Sequence, residues 1–159
     1  MAKPSGGALT ELRKLYQKRS DDYTREGFHP PLKNGISPLA AVIVHELVHC
    51  IDYSFKGAPI SADSRINQKL QQARARFIEM FPTKQVRQKV QNEFKAFDKD
   101  PKNNAPPDAP YALYSYQEFV AEKITECLTA PEPTKEAQST LQLFKQIYDM
   151  RVRAKETTQ

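Results

Sequence analysis

The sequence predicts a mainly helical fold with at most a small sheet, and three observations carry that expectation. Apolar residues recur at helical spacing in most of the chain. Helix start signals stand where those patterns begin, as at Ser37-Pro38 and Ser115-x-x-Glu118. Room for strands remains only in the first 37 residues or near Tyr111–Leu113. At 159 residues, with 39% hydrophobic and 27% charged side chains, the chain is expected to form one domain over 1–159, with its core spanning about 8–155. No internal repeat is visible.

The elements follow in order. Residues 8–20 form an amphipathic stripe of Leu9, Leu12, Leu15 and Tyr16. Residues 21–35 are irregular, with turn signals at His29-Pro30-Pro31 and Asn34-Gly35 and space for a short extended piece. A helix over about 38–55 starts on Ser37 as N-cap with Pro38 at its first position, and Gly57 is its expected stop. Residues 61–81 carry Ile66, Leu70, Ala73, Phe77, Ile78 and Phe81 at helical spacing before Pro82 breaks the pattern. A further helix over 83–97 carries Val86, Val90, Phe94 and Phe97, and 98–110 is a linker rich in Asp, Asn and Pro. A short helix over 115–128 ends before Pro131 and Pro133, and 134–155 closes the chain with Leu141, Phe144, Ile147 and Tyr148 inward.

The 38–55 helix holds the chemistry. Leu39, Val42, Ile43, Val44, Leu47, Val48 and Ile51 cover almost every face, and a helix apolar all round is expected to be buried. His45, Glu46, His49 and Asp52 then need partners, since unpaired buried polar groups are costly. The chain has three His, and two of them, His45 and His49, stand four apart in a His-Glu-x-x-His pattern. On a helix both imidazoles project from one face and can grip one metal ion, while Glu46 can reach a metal-bound water. The plainer alternative is a buried helix whose His bond to core carbonyls.

A catalytic zinc takes three protein ligands and leaves one position open. Four places compete for the third ligand. A His six residues past His49 fails, because that position is Phe55. His29 lies on a loop with nothing to fix it. Asp52 shares the His face and suits a hydrogen bond from an imidazole N–H better than metal ligation. Glu118 and Glu122 sit four apart on the 115–128 helix, which fits a ligand plus a carboxylate that orients a liganding His. Against this, Ser115-x-x-Glu118 also fits a capping box, and Glu122 could pair with Lys123.

Composition sets the remaining bounds. Net charge is +5, with Lys and Arg concentrated between Arg65 and Lys102 and in Arg151–Lys155. Without an aromatic-interleaved basic motif this reads as a solvated helix face, with nucleic acid or an anionic membrane as the alternative. No apolar run reaches 18 residues, and the first residues lack a signal-like apolar core, so a soluble protein is expected. Cys50 and Cys127 read as reduced core thiols, with a disulfide between them as the alternative, and Cys50 points away from the His face.

His45-Glu46-x-x-His49-x-x-Asp52, together with Glu118-Phe119-Val120-Ala121-Glu122, resembles the gluzincin metallopeptidases, most of all the catalytic domain of anthrax lethal factor and related bacterial toxin peptidases. That family carries Glu-Phe-Phe-Ala-Glu downstream of its His-Glu-x-x-His. The likeness spans about residues 39–128 and lies in the two motifs. It implies a zincin-like α+β domain with one zinc held by His45, His49 and Glu118, Glu46 as general base, and Tyr111 stabilising the oxyanion. Asp52 and Glu122 would act behind the ligands. The implied function is a zinc endopeptidase cutting a protein substrate, as a bacterial effector on a host protein, in the cytosol or delivered into a host cell. Two other functions compete: an intracellular regulatory zinc peptidase associated with DNA, and a non-enzymatic helical module with a structural zinc that binds a partner. A fourth protein ligand such as His29 or Asp52 would favour the last.

Overall fold

The computed structural model describes residues 31–104 and 109–157, together with Lys14 and Lys18. From residue 31 on, the described residues form five α-helices and two short 3-10 turns, with no strand among them. We number the helices α1 (Pro38–Asp52), α2 (Ser64–Glu79), α3 (Lys84–Lys99), α4 (Tyr116–Thr129) and α5 (Lys135–Glu156). The mainly helical expectation stands. At Tyr111–Leu113, one of the two places considered for a strand, the chain forms a 3-10 turn instead. Pro110 precedes that turn and fixes φ, and the Leu113 N–H returns to the Pro110 carbonyl. The 8–20 stripe, apart from Lys14 and Lys18, and His29 lie outside the described residues.

Side-chain caps set the helix starts. Ser37, Thr83, Ser115 and Thr134 accept N–H bonds from Ala40, Val86, Glu118 and Ala137, matching the boundaries read from the sequence. The 61–81 segment begins later than expected. Residues Ile60–Ala62 turn as a 3-10 element after Pro59, and Asp63 caps α2 by accepting the Arg65 N–H. α1 stops at Asp52, before Gly57, whose φ of +101° redirects the loop in a conformation suited to glycine.

α4 is the centre of the molecule. It packs against α1, α5 and the Tyr111–Leu113 turn. Its Phe119, Val120 and Ala121 are fully buried and join Ile60, Ile66, Leu70, Phe94, Leu113, Phe144 and Ile147 in one apolar cluster. The buried Arg74 of α2 ties the turn to this core. Its guanidinium donates to the carbonyls of Leu113 and Tyr114, both at 2.8 Å, pairs with Asp98 at 2.6 and 3.0 Å, and lies over the Phe94 ring. These bonds anchor the segment that carries Tyr111 to α2 and α3.

One expectation needs correcting here. α1 is not buried all round: it seats Pro38, Val48 and Asp52 inward, while Val42, Ile43, Leu47 and Ile51 are 39–56% exposed. Among the described helices, α1 packs chiefly on α4. Cys50 and Cys127 are free thiols, as expected, but Cys50 is exposed on the same outer side and Cys127 is half-buried, so neither is a core residue.

Candidate metal centre

Two helices build the site. α1 presents His45 and His49 one turn apart, with rings 4.8 Å between centroids at 74°. α4 brings Glu118 and Glu122 against them, also one turn apart. The buried Phe119–Ala121 run and the buried Val48 hold the two helices at contact distance.

The donor atoms converge. His45 Nε2 is 3.1 Å from Glu118 Oε2 and 3.1 Å from His49 Nε2, and His49 Nε2 is 3.4 Å from Glu118 Oε2. Three ligands held at ~2.0–2.1 Å around a tetrahedral ion would lie ~3.3 Å apart, so this triangle has the size such an ion requires. His45, His49 and Glu118 are also the group among the described residues whose ligand atoms could hold one ion together. Two unprotonated imidazole nitrogens facing each other repel, so a cation or a proton must sit between them.

Glu122 engages the far side of His45. Its Oε1 lies 3.3 Å from Nδ1, so Nδ1–H can donate to it and leave Nε2 for the centre of the triangle. Burial opposes charge on His45, but the bonds to Glu118 and Glu122 outweigh it and raise the pKa to about 9. Burial likewise opposes charge on Glu118, yet the His45 hydrogen bond and both imidazoles hold its carboxyl below the usual range.

Both competing uses of the α4 carboxylates are resolved by the bonds they make. Ser115 Oγ accepts the Glu118 N–H and caps α4, but the Glu118 side chain turns to the His pair instead of closing the capping box. Lys123 pairs with Glu126 and Glu136.

Tyr111 and Asp52 differ in what the structure gives them. Tyr111 is half-exposed, and its ring stands 6.2 Å from the His45 ring. Burial, with Glu118 beside the phenol, pushes its pKa up to about 12, so the hydroxyl keeps its proton as a donor. The neighbouring Tyr114 has its ring 5.2 Å from Tyr111 and 5.7 Å from Phe97. The expected Asp52–imidazole hydrogen bond is replaced by another. Asp52 is 1% exposed, and its two oxygens accept the Ser61 N–H at 2.7 Å and the Ser61 hydroxyl at 2.5 Å. It fastens the loop after α1 and does not orient an imidazole through these bonds. Glu46 is exposed on α1, and its charge is among those that raise the Tyr111 pKa.

No protein-family model, curated protein or solved structure matches this chain.

Proposed function

We propose that the protein is a zinc-dependent endopeptidase in which His45, His49 and Glu118 hold one zinc ion. The observation that carries this reading is the triangle of donor atoms at 3.1–3.4 Å, built from a His-Glu-x-x-His helix and a carboxylate 69 residues beyond its second His. Two imidazoles and a carboxylate suit zinc, although other divalent ions accept the same donors and affinity alone does not choose among them. A zinc ion bound there supplies an activated water, with a pKa near ~7, and a Lewis acid for the scissile carbonyl.

The chain's own residues supply the rest. Glu46, exposed on the helix that carries His45 and His49, takes the proton from the attacking water and later gives it to the leaving amine. The Tyr111 hydroxyl, which stays protonated across the working pH range, donates a hydrogen bond to the oxyanion that develops at the carbonyl. Glu122 holds Nδ1 of His45 and so fixes which nitrogen faces the centre. The zincin-like α+β architecture belongs to this reading, as does the role of a bacterial effector that cuts a host protein. The effector role rests on the family resemblance.

The test is proteolysis of an unfolded carrier such as reduced, alkylated casein by zinc-loaded protein. Wild type should cleave it, and Glu46→Gln should lose at least ~10²-fold in rate while keeping its metal. Equal cleavage by both proteins would remove Glu46 from the chemistry. No cleavage of any peptide library by metal-loaded wild type would remove the peptidase.

A further inference from the structure

Tyr53 continues the line of His45 and His49 along α1, four residues further at each step. It is the C-cap of that helix, and its N–H returns to the His49 carbonyl at 3.1 Å. Its side chain is 56% exposed, yet its tip is held: Gln117 Nε2 donates to the Tyr53 hydroxyl oxygen at 3.2 Å. Gln117 immediately precedes Glu118 in the first turn of α4. The bond therefore joins the two helices within one turn of His49 and one residue of Glu118.

The backbone under Tyr53 is braced from both sides. Asp52, before it, is buried and bound to Ser61. Phe55, after it, packs edge-on against Tyr148 with ring centroids 5.4 Å apart. The Arg151 guanidinium lies over the Phe55 ring and donates to the carbonyls of Ala58 and Pro59. A large side chain that buries little of itself, and is still fixed at root and tip, is preorganised for a molecule that arrives from outside.

The bond to Gln117 leaves hydrogen-bonding groups to spare. The hydroxyl oxygen accepts, so its own hydrogen is left to donate; the amide nitrogen donates, so Gln117 Oε1 is left to accept. Neither group has another partner among the described residues. A donor and an acceptor side by side match the C=O and N–H of an extended peptide, the pairing that a sheet edge supplies in other peptide-binding proteins.

We propose that Tyr53 and Gln117 form a substrate-binding pair: the Tyr53 O–H donates to a main-chain carbonyl of the bound peptide, and Gln117 Oε1 accepts a main-chain N–H. The pair rests on the peptidase reading and adds to it the element that recognises the peptide backbone. Contacts of this kind hold a peptide whatever its side chains.

The experiment is steady-state cleavage of fluorescein-labelled, reduced and alkylated casein by the zinc-loaded full chain, as wild type, Tyr53→Phe and Gln117→Met. Each lost hydrogen bond should raise KM by about 3–10-fold. The kcat should stay within about twofold of wild type, because binding to the main chain is the same in ground and transition states. Zinc affinity should not change, and reduced, alkylated lactalbumin should show the same rise in KM. Unchanged KM in both variants, with wild type cleaving, overturns the pair and leaves the peptidase standing. A rise confined to one carrier overturns the backbone assignment. Zinc affinity that falls in step with the rise in KM also overturns it, and makes the bond a clasp that only seats Glu118. Metal-loaded wild type that cleaves neither carrier overturns the peptidase, and this pair with it.

Discussion

Glu122 engages Nδ1 of His45 and leaves Nε2 facing His49 and Glu118. Its carboxylate lies 3.3 Å from Nδ1, so Glu122→Gln should keep the fold but weaken zinc binding by about 10–100-fold, read by competition with a chromophoric chelator. An unchanged affinity would reduce Glu122 to a bystander. Tyr111→Phe should keep full zinc affinity and lower kcat by about 10-fold or more, since the oxyanion loses a donor; a full rate would take Tyr111 out of the mechanism. At this scale the sequence was most legible where spacing alone sets geometry. His45 and His49 share a face because they are four apart, and so do Glu118 and Glu122. Asp52 was misread for a related reason. Spacing put it on the His side, but the loop through Ser61, which claims both its oxygens, returns by a path that no local pattern encodes.

Between elements, two junctions hold the site in place. Arg74 fixes the turn that carries Tyr111 by donating to two of its carbonyls from a buried position. Arg74→Met would leave both acceptors without that donor and should cost about 1–3 kcal/mol in denaturant unfolding, with zinc affinity less affected than catalytic rate. The second junction joins α4 to α5. The buried Glu126 accepts the Thr134 N–H at 2.8 Å and the Lys123 ammonium at 3.0 Å. Burial raises its pKa, but these bonds outweigh it and hold the carboxyl below the usual range. A depressed folded-state pKa stabilises the protein above the unfolded carboxylate pKa, and that contribution disappears as pH falls through the folded value. Glu126→Gln should therefore be less stable than wild type at pH 7, by about 1–3 kcal/mol, and the gap should shrink below about pH 4. A gap independent of pH would point to packing instead of charge. Helix starts at Ser37, Thr83, Ser115 and Thr134 were legible because a cap is a local bond. Arg74 was not singled out, since one Arg in a polar helix looks like any solvated cation until Leu113, Tyr114 and Asp98 converge on it.

For the whole molecule, α4 is the buried axis and α1 lies against it with its outer side open. The sequence suggested the reverse emphasis. α1 has the more apolar composition, so it read as the buried helix, whereas α4 hides Phe119, Val120 and Ala121 between charged residues. Composition measures what a helix could bury; the arrangement of its neighbours decides how much it does. The His45–His49–Glu118 triangle sits where these two helices meet, and it needs both. The most direct measurement is bound zinc by elemental analysis after purification without added metal and after reloading, on wild type, Glu118→Ala and Glu46→Gln. The account predicts one zinc per chain in wild type and Glu46→Gln, and a weakened or empty site in Glu118→Ala. Wild type that takes up no zinc when it is offered, or Glu118→Ala that holds it as tightly as wild type, would contradict it.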